Sequence, residues 1–313
     1  LFTGIDSEKS HADAYTYTFK PIVYDTINIY NVDLNTQKTD IPTAFTSRIV
    51  KTETSRYGVY LQDLISFTEK FKVLAGIRYS TQETKPITYD LLVFNEKREV
   101  IRNDRAFSPK LGLIYQPNKS TTFFTSYANS FTPNTGVTIY NEGLKPSMID
   151  QYEAGVKKEF WKGVLSTNLT VYQIVNSNLA QMAQFNLDGS VNTISTVREL
   201  TGETTSKGVE IDIIVRPIDA LNIMAGYSYN NMEYTKTTGA AGSFIEGDRL
   251  VRTPQNTANL SAFYTIPSGK FKGIAFGTIA NYIGERLGGF NNTNGQTIPD
   301  RTIPLSGYTT IDV

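Results

Sequence analysis

The chain has 313 residues, 40% of them hydrophobic, and 30 Lys plus Arg balance 30 Asp plus Glu. That length allows two ordinary domains or one large β structure, and the neutral balance argues against nucleic-acid binding, which rests on phosphate neutralisation. Cysteine is absent and His11 is the lone histidine, which excludes disulfides, thiolate metal sites, Cys nucleophiles and a His-rich metal centre. His11 itself reads as an ordinary loop residue in a polar stretch. Tyrosine and phenylalanine dominate the aromatics, with 19 Tyr and 17 Phe against one Trp. No apolar run approaches the roughly 20 residues of a membrane helix, and the opening LFTGIDSEKS lacks the basic start and apolar core of a signal peptide.

Strand periodicity recurs along the whole chain, and helical periodicity is nearly absent. Alternation and turn signals predict about twelve strands, over 1–8, 48–66, 71–82, 105–116, 121–131, 148–160, 164–176, 204–216, 221–232, 254–266, 273–285 and 307–313. The gaps come in two sizes that alternate. Short ones are TEK (68–70), PNKS (117–120), WKG (161–163), PIDA (217–220) and PSGKFK (267–272), built from residues that supply turn dihedrals. Long ones are 9–47, 83–104, 132–147, 177–203, 233–253 and 286–306. A meander with short turns at one end and long loops at the other is the pattern of an outer-membrane barrel.

The strand faces agree. Val209, Ile211, Ile213 and Val215 oppose Glu210, Asp212 and Arg216, with Ile214 an exception. Leu221, Ile223, Ala225, Tyr227 and Tyr229 oppose Asn222, Met224, Gly226 and Ser228. In the 55–80 hairpin, Tyr57, Val59, Leu61, Phe71, Val73, Ala75 and Ile77 are expected to face lipid, and Tyr60, Gln62, Lys72, Gly76 and Arg78 a wet interior. Aromatic residues at strand ends (Tyr57, Phe67, Phe71, Tyr79, Phe107, Tyr115, Phe160, Trp161 and Tyr172) read as the girdles of such a barrel. Segments 164–176 and 273–285 alternate poorly and leave their faces open. Glu153, Glu159, Glu210 and Asp212 read as interior charges rather than acid–base pairs. Glycines within GYSY, GIRY and GVEI lack phosphate-loop spacing and read as room for a plug or a neighbouring ring. Pro133 and Pro146 bracket a loop and fix its turns.

Ten stretches in order carry a resemblance: LFTGID (1–6), RYGVYLQD (56–63), LAGIRYS (74–80), FSPKLGLIYQP (107–117), FFTSYANSFTPNTG (123–136), LKPSMIDQYEAGVK (144–157), SKGVEIDIIVRP (206–217), AGYSYNNMEYT (225–235), RTPQNTANLSAFY (252–264) and GYTTIDV (307–313). With them the chain resembles the β-barrel of TonB-dependent siderophore receptors of the ferrichrome-receptor type, over essentially its whole length. The resemblance implies an all-β fold: an antiparallel transmembrane β-barrel fragment, about 12 strands of a family barrel of about 22 around a filled lumen, with short periplasmic turns and long extracellular loops. It implies that 1–313 is a partial barrel domain, with the plug, the N-terminal strands and the last strands lying outside it. Expressed alone, such a piece with two unpaired edges is not expected to insert as a stable monomer.

Function follows from the same resemblance. It implies an outer-membrane receptor of a Gram-negative-type envelope that imports ferric siderophore, hydroxamate or ferrichrome-like cargo favoured, and that is no enzyme. No cofactor is expected, because iron is carried by the siderophore ligand. The implied partners are ferric siderophore, TonB through a segment outside this chain, outer-membrane lipid and lipopolysaccharide, with no nucleic acid and a monomeric whole receptor. Loop or upper-lumen aromatics, which offer flat contact at low entropy cost, make Tyr15, Tyr17, Tyr89, Phe94, Tyr140, Phe185, Phe244 and Phe290 the candidate ligand-binding residues, with no catalytic or metal-ligating residue. Another cargo (cobalamin, haem or an oligosaccharide), a passive porin-like barrel and a barrel enzyme stand as alternatives.

Overall fold

The alternating segments pair with their neighbours along the chain into sheet. The computed structural model describes residues 1–19, 43–183, 185–194, 196–237, 245–290 and 302–313. Its strands are β1 (Phe2–Phe19), β2 (Ala44–Ser66), β3 (Phe71–Asp90), β4 (Asn95–Arg98), β5 (Arg102–Asn118), β6 (Thr121–Thr132), β7 (Ser147–Phe160), β8 (Leu165–Met182), β9 (Arg198–Ile218), β10 (Leu221–Lys236), β11 (Asn256–Thr265), β12 (Ala275–Ile283), β13 (Arg286–Phe290), β14 (Thr302–Leu305) and β15 (Tyr308–Asp312). Twelve of them follow one another as β1-β2-β3-β5-β6-β7-β8-β9-β10-β11-β12-β15, with β4 added on β3, while β13 and β14 form a separate hairpin. Each of the twelve expected strands has its counterpart on this path.

The differences lie at the long-loop ends. β1 continues to Phe19, β3 to Asp90 and β8 to Met182, and β9 begins at Arg198. Their Thr-, Asn- and charge-rich sequence reads as loop, yet it is strand because each extension has a long strand beside it to pair with. At about 3.3 Å per residue the 20 residues of β3 run about 65 Å, where a tilted strand crosses a bilayer in about 9–11 residues. His11 falls on such an extension, in β1 rather than a loop, with its Nδ1 3.8 Å from the Glu53 carboxylate.

The described chain divides into two units. Leu1–Gly4, Val59–Tyr79 and Ala106–Val313 make the first, and Ile5–Gly58 with Ser80–Arg105 the second. In the first, register settles the faces that sequence leaves open. Leu169 pairs with Ile211 and Val171 with Val209, so β8 turns these residues to the apolar side and Asn168, Thr170 and Tyr172 to the polar one. Tyr172 is thus no girdle residue: its ring lies over Gly208, on the face of Glu210 and Asp212. The other girdle residues of this unit behave as expected. Phe67 and Phe71 (6.2 Å between centroids), Phe160 and Trp161 (6.3 Å), and Tyr115 and Phe123 (6.5 Å) pair in or near the short turns.

Burial is inverted relative to a soluble domain. Among the described residues the buried hydrophobic side chains are Ala106, Leu144 and Ala183 alone, and no large side chain is fully buried. Tyr57, Val59, Leu61, Ile77, Leu111, Leu113, Leu169 and Val171 all stand exposed along the strands. A water-soluble sheet must bury its apolar face against a second layer. An exposed apolar band this long is stable only if the solvent itself is apolar.

In the second unit polar and charged side chains also link the paired strands. Lys9 Nζ lies 3.1 Å from Glu53, and Arg56 donates to Glu8 (2.9 Å) and to Gln82 (2.7 Å).

Candidate functional site

Two long loops of the first unit build a cavity. Loop 133–146 joins β6 to β7, and loop 183–197 joins β8 to β9. In the first loop Thr138 organises a tight turn: its backbone N–H donates to Glu142 O (2.8 Å), and its hydroxyl accepts from the amides of Tyr140 (3.2 Å) and Glu142 (3.3 Å). Asn141 completes the turn with φ 59°. Tyr140 is thereby held exposed at the tip.

The second loop is wound around Asn192, which is only 4% exposed. Its side-chain amide donates to the carbonyls of Ala183 (3.0 Å), Ile194 (3.2 Å) and Val197 (3.2 Å), and its Oδ1 accepts from the Ile194 amide (2.9 Å). Phe185 bridges Val191 across a turn containing Gly189 at φ 81°. Asp188 caps this turn, and the Ser190 hydroxyl (2.6 Å) and amide (3.0 Å) hold its carboxyl below the usual carboxylate range.

The loops are joined to each other. Val137 N donates to Thr196 O (3.0 Å), and Arg198 N donates to Val137 O (2.8 Å). Gly136, at φ 101°, lets the Arg198 side chain lie flat, since a Cβ there would stand 3.1 Å from Arg198 Cδ and 2.7 Å from Thr196 O. At the loop bases Asn134 Nδ2 donates to Lys145 O (2.8 Å) and Asn178 O (3.0 Å). The Ser147 hydroxyl, on a residue 2% exposed, lies within hydrogen-bonding reach of Asn134 Oδ1 (3.1 Å) and Asn178 O (3.0 Å). Pro133 and Pro146 flank this lock, as the sequence places them.

The resulting cavity of about 700 Å³ is lined by Ile139, Tyr140, Leu144, Ala183, Phe185 and Arg198 among others, a size suited to a small organic ligand. Of the eight candidate residues it brings together Tyr140 and Phe185. Tyr15 and Tyr17 stand exposed on β1, and Tyr89 lies in β3 with Lys51 Nζ 5.8 Å from its ring. Phe94 sits at the tip of the β3–β4 hairpin, 92% exposed at φ 51°. Phe290 ends β13, and Phe244 lies outside the described residues. Leu144, Ala183 and Arg198 escape sequence reasoning, because nothing local announces that residues about 40 positions apart share a wall.

A second recess, of about 620 Å³, lies on the polar face near the short turns, with Lys157, Asn168, Asp212, Ile214 and Met224 in its lining. Asn168 donates to Asp212 (3.2 Å), and Glu153 accepts from Gln151 (2.5 Å) and Ser126 (3.3 Å). These carboxylates serve hydrogen bonds within and between strands, in line with the interior-charge reading. Among the described residues no group of three or more His, Asp or Glu could hold a metal ion.

Comparison with known proteins places this arrangement. The family described as TonB dependent receptor-like, beta-barrel matches residues 2–313. The chain belongs to the TonB-dependent receptor family. It is 26% identical to the ferrioxamine B receptor of Salmonella typhimurium and 25% identical to the ferrichrome outer membrane transporter/phage receptor of Escherichia coli, each over all of this chain and 40% and 38% of those proteins. It is 27% identical over 83% of its length to the metal-pseudopaline receptor CntO of Pseudomonas aeruginosa, covering 34% of that protein. The chain thus spans two fifths or less of these relatives. The siderophore receptor PiuA from Acinetobacter baumannii shares the fold, with TM-score 0.72 at 19% identity over 99% of this chain and 45% of that one. The sheet is therefore part of an outer-membrane TonB-dependent receptor barrel. Family members are receptors and transporters rather than enzymes.

Proposed function

We propose that this barrel serves the energy-dependent import of a ferric siderophore, with hydroxamate cargo of the ferrioxamine or ferrichrome kind favoured. The observation that carries the reading is the match of the entire chain, end to end, to receptors named for ferrioxamine B and for ferrichrome. The ligand is captured at the extracellular loops, TonB supplies energy through a segment outside this chain, and the chelate crosses intact. Iron stays with the chelator and does not pass to protein side chains. Lipid and lipopolysaccharide surround a monomeric barrel.

A second reading, a metal chelate other than an iron hydroxamate, is favoured by the likeness to a metal-pseudopaline receptor. Uptake separates the two. In a strain lacking its own hydroxamate receptors, the intact receptor should raise uptake of radiolabelled ferrioxamine B at least about tenfold, and removal of TonB should abolish the gain. Uptake at background level would sink the hydroxamate reading, and uptake indifferent to TonB would point to a passive pore.

A further inference from the structure

Outside the sheet, the loops carry a core of their own. Two of the three buried hydrophobic residues among those described, Leu144 and Ala183, each 3% exposed, lie in or at the base of the paired loops and in the lining of their cavity. Tyr140 and Phe185 line the same cavity while standing more than half exposed. An apolar floor beneath exposed aromatic rings is the chemistry of a subsite for an apolar or aromatic group.

We propose that this cavity takes an apolar or aromatic arm of the chelator, away from its metal centre, and that the Asn134–Ser147–Asn178 lock holds it in binding shape before the ligand arrives. The proposal rests on the reading of the protein as a ferric-chelate receptor and extends it to the part of the ligand that is read.

Three observations support it. The cavity is lined by Ile139, Leu144, Ala183 and Leu200 beside Tyr140 and Phe185, side chains that meet a ligand by apolar contact. The polar groups that fix the loops, Thr138, Asn192, Asn134 and Ser147, spend their hydrogen bonds on protein partners. Both loops are also closed on each other by backbone pairing between Val137, Thr196 and Arg198. A cavity already fixed in this way binds without first ordering its walls, and an arm entering it loses little to loop entropy.

The test compares two ligands with one metal centre: ferrioxamine B and its derivative benzoylated on the pendant amine. Binding to the purified intact receptor is measured by titration. The benzoylated complex should bind about tenfold more tightly than its parent, the gain expected for burying one ring. In the Tyr140→Ala/Phe185→Ala double variant that advantage should disappear, whatever affinity the parent complex itself loses. Asn134→Ala should reduce the advantage at least about threefold, a change in the ratio of the two affinities that general unfolding, which lowers both alike, would not produce. If wild type shows no advantage, or the double variant retains it, the subsite assignment fails although the receptor still binds ferric chelate. If Asn134→Ala leaves the advantage whole, the lock plays no part in holding the subsite. Binding of neither complex by wild type would instead overturn the underlying hydroxamate reading and, with it, the assignment.

Discussion

Replacing Val171 with arginine should destabilise the membrane-inserted receptor by about 2–4 kcal/mol, the cost of a lipid-facing charge near the bilayer midplane. Val171 is exposed on β8 and pairs with Val209, so its side chain leaves the sheet on the apolar side. Ser228 is the control. It lies on the opposite face, with its hydroxyl 3.5 Å from Glu210, so an arginine there finds both water and a carboxylate. Ser228→Arg should stay within about 0.5 kcal/mol of wild type. Urea unfolding of the receptor in lipid vesicles reads both values. Equal costs for the two substitutions would mean that the faces are wrongly assigned.

The second large effect concerns glycines overlaid by rings. A Cβ on Gly277 would collide with the Phe263 ring on the neighbouring strand, and the ring supplies its three nearest contacts. A Cβ on Gly208 would collide with the Tyr172 ring and also stand 2.5 Å from the backbone oxygen of Tyr229. Each alanine substitution alone should cost about 1–3 kcal/mol, as overpacking does. Their rescue should differ. Phe263→Ala removes the obstacle to an alanine at 277, so that double variant should recover most of the loss beyond the cost of the ring itself. Tyr172→Ala leaves the carbonyl in place, so Gly208→Ala should stay destabilised. A double-mutant cycle at each pair measures this, and additivity at Gly277/Phe263 would refute the ring-over-glycine account.

These pairs show where sequence reading stops. That glycines inside GVEI and GYSY make room for something is legible from their place in strands. That Gly208 accommodates Tyr172 whereas Gly226 faces Asn259 depends on register between strands, which alternation within one strand does not encode. The same limit misplaced Tyr172 among the girdle aromatics, since a ring near a strand end reads alike on either face.

The candidate site divides in the same way. Tyr140 and Phe185 were visible as loop aromatics, but their shared cavity was not. Asn134 and Asn178 lie 44 residues apart and meet through one side-chain amide and one carbonyl. Asn192, in a stretch that reads only as polar loop, organises three carbonyls at once. Contacts of this kind leave no periodic trace.

By itself the sequence determined the inside-out β-barrel class, the twelve strands of the main sheet path and the sorting of short turns from long loops, because side-chain alternation and turn chemistry are local and repeat along the chain. Tertiary structure alone decided how far the strands run past the membrane, which rings lie over which glycines, and that two loops close around Leu144 and Ala183. Those outcomes depend on partners brought together by strand register, and a residue's own neighbours in sequence carry no record of them.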